Sequence, residues 1–155
     1  MRLARTLIVA LVALTLFGEY AMSADGLITT RSSFGPEETM KRLEAEIGAK
    51  GMTVFAHIDH AAAAAAVDLP LRPTDLLIFG AAKGGTPLMQ SVQTIGIDLP
   101  LKALVWQDEA GTTYLSYNDP AYLAHRHELG DAAKPVVEGM SGALKAIAAK
   151  ATTAP

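Results

Sequence analysis

Apolar residues occur along the chain in two patterns, a helical spacing and a continuous run, which distinguish predicted helices from predicted strands. Met40, Leu43 and Ile47 lie three to four positions apart, and this spacing predicts an amphipathic helix after Pro36. The run 75–80 is apolar almost throughout, which predicts a strand that is buried on both faces or nearly so. The chain is therefore expected to mix helices and strands.

The predicted elements follow the order β-α-β-(α)-β-(α)-β-β-α-α. Strands are expected at 26–32, 52–58, 75–80, 101–107 and 112–118. Helices are expected at 36–50, 60–67, 87–94, 120–128 and 131–150. The last two strands are joined by a four-residue loop that contains Gly111, which is typical of a β-hairpin. Because the alternation of strands and helices is uneven, the order predicts an α+β sandwich and disfavours a doubly wound sheet.

Two glycines, Gly139 and Gly142, lie inside the last predicted helix. Each costs about 1 kcal/mol relative to Ala in a helix interior, so the pair suggests close packing against another backbone. The core itself is expected to contain Leu43, Ile47, Leu77, Phe79, Leu104, Val105, Met140 and Leu144.

The first 23 residues have the three-part pattern of a cleavable export signal. Arg2 and Arg5 precede the apolar run 7–17, which is far shorter than the roughly 20 residues of a membrane-spanning helix. Small residues at positions 21 and 23 predict cleavage after Ser23. We therefore expect a signal peptide at 1–23, one domain at 24–150 and a frayed tail at 151–155. The mature protein is expected to be periplasmic or secreted, without a stable membrane span.

Composition excludes several classes of site and partner. The chain has no cysteine, so disulfides, thiolate metal sites and iron–sulfur clusters are excluded. Residues 24–155 keep 11 of the 13 basic and 15 of the 16 acidic residues, which gives a net charge of −4. Because no basic stripe remains, nucleic acid is not expected as a partner.

His57, Asp59 and His60 form the densest group of titratable side chains. If residues 57–59 are extended, His57 and Asp59 share one face of the strand. Imidazole and carboxylate groups can bind a divalent metal or act as an acid/base pair. The alternative is structural: Asp59 would cap the helix that follows, and His60 would be a surface residue.

A second candidate, a ligand site, lies at Lys83, Gly84, Gly85 and Thr86. Thr86 is expected to cap a helix that begins at Pro87, so Gly84 and Gly85 would precede a helix N-terminus. Free N–H groups at such an end attract anions, and Lys83 would add positive charge. The alternative is a plain flexible turn. Nucleotide binding is not expected, because the Lys of a phosphate loop is missing after Gly85.

Two further groups of residues are weaker candidates for a functional site. His125 and His127 flank Arg126 at a predicted helix end, where a solvated basic cluster is expected. The aromatic residues near the hairpin are expected in the core or a dimer interface, or alternatively around a pocket. These residues are Trp106, Tyr114, Tyr117 and Tyr122, with Phe79 and Met89.

Three segments resemble a known family when taken in order: 53–80, 85–90 and 97–127. On these segments the chain resembles the bacterial and archaeal family called domain of unknown function 302. The resemblance implies a two-layer α+β fold with a mainly antiparallel sheet, helices packed on it and frequent homodimers. It implies no established activity. The chain departs from the family pattern at Ala81 and Ala82, where family members often have Asn-Pro.

These observations favour an exported binding or interaction module of the cell envelope. It is expected to act as a homodimer on a small ligand or an envelope protein, without a cofactor. Enzymatic activity is not favoured, because no local catalytic motif is present. The alternative is a metal-binding protein or a small hydrolase-like enzyme that uses His57, Asp59 and His60.

Overall fold

A five-stranded sheet forms one layer of the protein, in a computed structural model that describes residues 24–154. The strands are β1 (Leu27–Arg31), β2 (Thr53–Asp59), β3 (Thr74–Gly80), β4 (Leu101–Gln107) and β5 (Thr113–Asn118). Their order is β1-β5-β4-β3-β2, and every neighbouring pair is antiparallel. The sheet therefore has β1 and β2 as its edges. The predicted signal peptide at 1–23 lies outside the described residues.

Helices form the second layer. They are α1 (Pro36–Ala49), α2 (His60–Ala65), α3 (Ala82–Ser91), α4 (Pro120–Arg126) and α5 (Lys134–Thr152). Two short 3-10 turns lie at Gln93–Ile97 and Asp131–Ala133. Helices α1 and α5 pack on each other and on the sheet. The α+β sandwich with a mainly antiparallel sheet is thus confirmed.

The core lies between the sheet and the pair α1 and α5. Leu77, Phe79 and Val105 are fully buried there. Leu104 was expected beside them but is only half-buried, because alternate residues of a strand point to opposite faces of the sheet. Met140 is also half-buried and packs at the edge of this core. The remaining predicted core residues are buried: Leu43, Ile47 and Leu144.

The end of α5 is more ordered than the sequence predicts. The helix continues to Thr152, and Ala151 and Thr152 are buried although a frayed tail was expected from residue 151. The Arg42 guanidinium donates hydrogen bonds to the carbonyl oxygens of Lys150 (3.0 Å) and Thr153 (3.3 Å). A helix leaves its last carbonyls without partners inside the helix, so Arg42 stabilises this end.

Helix α3 begins five residues earlier than predicted, at Ala82 instead of Pro87. The expected flexible loop is part of the helix, and the N–H groups of Gly84 and Gly85 both donate to the Ala81 carbonyl (2.9 and 3.1 Å). Pro87 lies inside the helix, where it removes one backbone donor. Local rules assign Gly-Gly to a loop and Pro to a helix start, and here the tertiary context overrides both.

Candidate functional site

An apolar cavity of about 520 Å³ lies between the end of β3, α3 and α5. Met52, Met89 and Met140 line it, and no charged side chain does. The hydroxyl of Thr86 is the polar side-chain group in its wall. A cavity of this size with mostly apolar walls is typical of a small-molecule site. We call it the apolar cavity.

Glycines, which have no side chain, leave part of this space open. A Cβ atom added at Gly139, in the middle of α5, would meet no atom within 4 Å, and the same holds at Gly84. The prediction that Gly139 and Gly142 mark close backbone packing is therefore wrong, since Gly142 is equally open. Gly139 leaves α5 without a side chain where the helix borders the apolar cavity.

A bulge in β2 supplies another part of the cavity wall. The register with β3 shifts between Val54, which pairs with Phe79, and Ala56, which pairs with Ile78. Phe55 is the extra residue, and a β-bulge redirects the side chain that it carries. The Phe55 ring lines the apolar cavity, yet 59% of this residue is exposed. An apolar ring this exposed is available to cover a ligand.

The predicted ligand residues lie at this cavity in part. Gly84, Gly85 and Thr86 line it, whereas Lys83 is exposed and is not among the lining residues. The N–H groups of Gly84 and Gly85 were expected to attract an anion, but both donate to the Ala81 carbonyl. These glycines contribute open space to the wall, and their N–H groups are not free for an anion.

His57, Asp59 and His60 do not converge on one site. His57 Nε2 lies 3.1 Å from Asp75 Oδ1, and its Nδ1 lies 3.7 Å from Glu44 Oε1. Asp59 accepts a hydrogen bond from the Ala62 N–H (2.7 Å) as the N-cap of α2. His60 is exposed at the start of that helix. Over residues 24–154, no three His, Asp or Glu side chains are grouped so that they could hold a metal ion.

The second histidine cluster contains a contact that the sequence did not indicate. His127 Nε2 lies 2.6 Å from Asp98 Oδ2, and both side chains are largely buried. Arg126 Nη1 lies 3.5 Å from the other Asp98 oxygen, whereas His125 is exposed. His127 is therefore not part of a solvated helix end. Its contact with Asp98 connects the end of α4 to the turn that leads into β4. Asp98 and His127 are 29 positions apart, so local patterns could not reveal this pair.

The aromatic residues do not share one pocket. The Trp106 and Tyr114 rings are stacked, with centroids 4.8 Å apart. Tyr117 belongs to the core, and Tyr122 is 41% exposed. Of this group, Met89 lines the apolar cavity.

The sequence matches the family described as Domain of unknown function DUF302 over residues 28–147. The chain belongs to the DUF302 family. The DUF302 chain is also similar to the crystal structure of an uncharacterized conserved DUF302 protein from Bacillus stearothermophilus. The TM-score is 0.75 at 22% identity, over 83% of this chain and 99% of that chain. At this identity the likeness shows the shared fold alone.

Curated relatives of this DUF302 chain carry the name of an ion channel. It is 45% identical over 115 residues to Fluoride-specific ion channel FluC 1 of Brucella suis biovar 1 (strain 1330). The match covers 74% of this chain and 45% of that protein. Fluoride-specific ion channel FluC 2 of Brucella melitensis biotype 1 matches at the same identity, over 43% of its length. The chain thus spans less than half the length of these relatives. Among residues 24–154, no helix combines the length and apolar character that a membrane crossing needs.

Proposed function

We propose that this DUF302 chain is an exported binding module that holds a small, uncharged and largely apolar ligand in the apolar cavity. The observation that carries the proposal is a cavity of about 520 Å³ without a charged side chain in its wall. Burying a charged group there without a partner would be costly, so the wall selects against ions. Burying apolar surface is favourable by about 25 cal/mol per Å².

The side chains around the cavity suit a ligand of variable shape. Met52, Met89 and Met140 have unbranched, polarisable side chains, which adapt to irregular partners. Phe55 is held at the cavity by a bulge but remains mostly exposed, so it can pack on a bound molecule. Thr86 offers one hydroxyl to orient a polar atom of the ligand.

The alternative function, with His57, Asp59 and His60 as metal ligands or an acid/base pair, has less support. Asp59 uses its carboxylate to cap α2, and His57 is directed to Asp75 and Glu44. A carboxylate occupied by a backbone N–H is less available to orient a histidine. We therefore favour ligand binding in the apolar cavity over a function of His57, Asp59 and His60.

The test uses the uncharged fluorescent probe N-phenyl-1-naphthylamine with residues 24–155. We expect saturable fluorescence enhancement, and about tenfold or greater weakening in Gly139→Leu, because the new side chain fills the cavity. The fold should survive, since a Cβ at position 139 meets no neighbour and Leu is the better helix former by roughly 0.5–1 kcal/mol.

Gly142→Leu is the matched control. It lies in the same helix, is equally open and borders a different cavity. It should bind the probe like the wild-type protein. If the probe does not bind, or if both variants bind it equally well, the apolar cavity is not the ligand site.

Export and dimerisation belong to the same proposal. The 1–23 pattern supports delivery to the periplasm or outside the cell. There a homodimer would present two such cavities to a small ligand, or dock on an envelope protein. Intact-mass measurement of the exported protein should give a chain that begins at Ala24.

A second candidate function follows from the name of the curated relatives. Their 45% identity to this chain supports a module that works together with a fluoride channel. Cells that lack the gene should then grow less well in fluoride but normally in chloride. Equal growth of the mutant and the parent across fluoride concentrations would count against this function.

A further inference from the structure

A second cavity, of about 570 Å³, lies on the other side of α5. Residues of β1, β5 and α5 line it, together with Pro120 at the start of α4. Gly142 borders it, and a Cβ added there would meet no atom within 4 Å. We call it the polar cavity, because a charged side chain and several hydroxyl groups line it beside mainly apolar surface.

Hydroxyl groups and one cation distinguish this wall. Thr30, Tyr117 and Ser141 line the polar cavity with hydroxyl-bearing side chains. Lys145 is its one charged lining residue, and it is exposed. Within residues 24–154 Lys145 forms no salt bridge, in contrast to Lys134 and Lys150 of the same helix.

Tyr117 is the most informative of these residues. Only 4% of it is exposed, and its ring is part of the core. In the described part of the chain, no residue forms a hydrogen bond with its hydroxyl. Burial, and to a smaller extent the charge of Asp119, raise the pKa of Tyr117 above its usual value of about 10. At neutral pH the phenol is therefore a neutral hydrogen-bond donor in the wall of the cavity.

The nearby carboxylate does not occupy that donor. Asp119 Oδ1 accepts a hydrogen bond from the Ala121 N–H (2.9 Å), where it caps α4. The Tyr117 hydroxyl is not among the buried side-chain atoms that lack a partner, so its oxygen is accessible although its ring is buried. An acceptor that enters the polar cavity can therefore reach this donor.

We propose that the polar cavity is a second ligand site, independent of the apolar cavity, and that it binds a small organic carboxylate. Lys145 provides the positive charge for the carboxylate, and Tyr117 donates a hydrogen bond to one of its oxygens. The apolar part of the ligand packs on Ile28, Pro120 and Ala148, which also line the cavity. An inorganic anion would leave this apolar part of the wall unused.

Benzoate is the probe, and benzamide is its uncharged counterpart of nearly the same shape. Titration of residues 24–155, followed by backbone amide chemical shifts, should show saturable benzoate binding with shifts in β1, β5 and α5. Lys145→Gln should weaken benzoate about tenfold, the usual size of a charge-assisted hydrogen bond, and leave benzamide unchanged. Tyr117→Phe should weaken both ligands.

Three controls make the outcome decisive. Gly142→Leu fills the polar cavity and should abolish benzoate binding, whereas Gly139→Leu should not affect it. Lys50→Gln, which removes an exposed charge at the end of α1, should bind benzoate like the wild-type protein. Thermal unfolding establishes that each variant is folded. The proposal is overturned if benzoate does not bind, or if its affinity is the same in Gly142→Leu and Lys145→Gln as in the wild-type protein.

Discussion

Gly26 and Gly111 adopt the same left-handed backbone in different surroundings. Their φ angles are +76° and +80°. A Cβ added at Gly26 would lie 2.1 Å from the Tyr122 ring, whereas one at Gly111 would meet nothing within 4 Å. Gly26 thus combines a conformational requirement with a contact between the start of β1 and α4. Gly111 has only the conformational requirement of the hairpin turn.

This pair gives a prediction about stability. Gly111→Ala should lower the free energy of unfolding by about 1 kcal/mol, the cost of the left-handed conformation for an L-residue. Gly26→Ala should lower it by more, because Tyr122 must also move. Urea denaturation of both variants measures the difference, and Tyr122→Ala in the Gly26→Ala background should recover part of it. Equal losses in the two single variants would show that the Tyr122 ring gives way freely.

At the same scale, the sequence predicted local roles and missed distant ones. The structural alternative for Asp59, an N-cap, is confirmed by its hydrogen bond from the Ala62 N–H, because a cap is fixed by residues two or three positions away. Gly139 was noticed, but its open surroundings depend on α3 and β3. The Asp98–His127 contact depends on α4 folding back toward β4. Such contacts require the tertiary fold.

At the scale of elements, Asp59 lies at the junction of β2 and α2, where its structural role as an N-cap can be tested. Asp59 ends β2 and caps α2, a six-residue helix that is mostly alanine. Asp59→Asn should keep the wild-type stability, since Asn caps about as well as Asp. Asp59→Ala should cost about 1 kcal/mol. Amide hydrogen exchange in α2 measures the effect, with His60→Ala as the control. If Asn and Ala lower protection equally, the cap does not stabilise α2.

Strands and most helices could be predicted, because their patterns are local. The apolar strand β3 and the hairpin β4–β5 were found within one residue of their observed bounds. Helix α3 was placed wrongly, since Gly84, Gly85 and Pro87 have loop or start preferences that packing overrides. Its early start places Gly84 and Gly85 in the wall of the apolar cavity. The part of the site that the sequence missed comes from β2, β4 and α5, which meet only in the folded protein.

At the scale of the whole molecule, the sheet face that points away from α1 and α5 is the candidate surface for dimerisation. Residues on this face alternate with the core residues of the same strands. Leu76, Ile78, Leu104 and Trp106 lie there and are half-buried. The edge strand β2 adds Ile58, which is 37% exposed. The same face also carries Lys102 and Ser116, so its apolar residues form a patch. An apolar patch on a small domain is a candidate protein interface.

The homodimer therefore stays a prediction, and this face is the contact that we expect. A second copy is the simplest partner, because a two-fold axis brings the same patch of two copies together. Light scattering of residues 24–155 at micromolar concentration should report about twice the monomer mass. Leu104→Glu and, separately, Ile58→Glu should yield monomers with native circular dichroism, since both side chains lie outside the core. Ile97→Glu is the control, because Ile97 is 74% exposed in the turn before β4. A wild-type monomer at every concentration would exclude the dimer, whereas a dimer that survives both face substitutions would place the interface elsewhere.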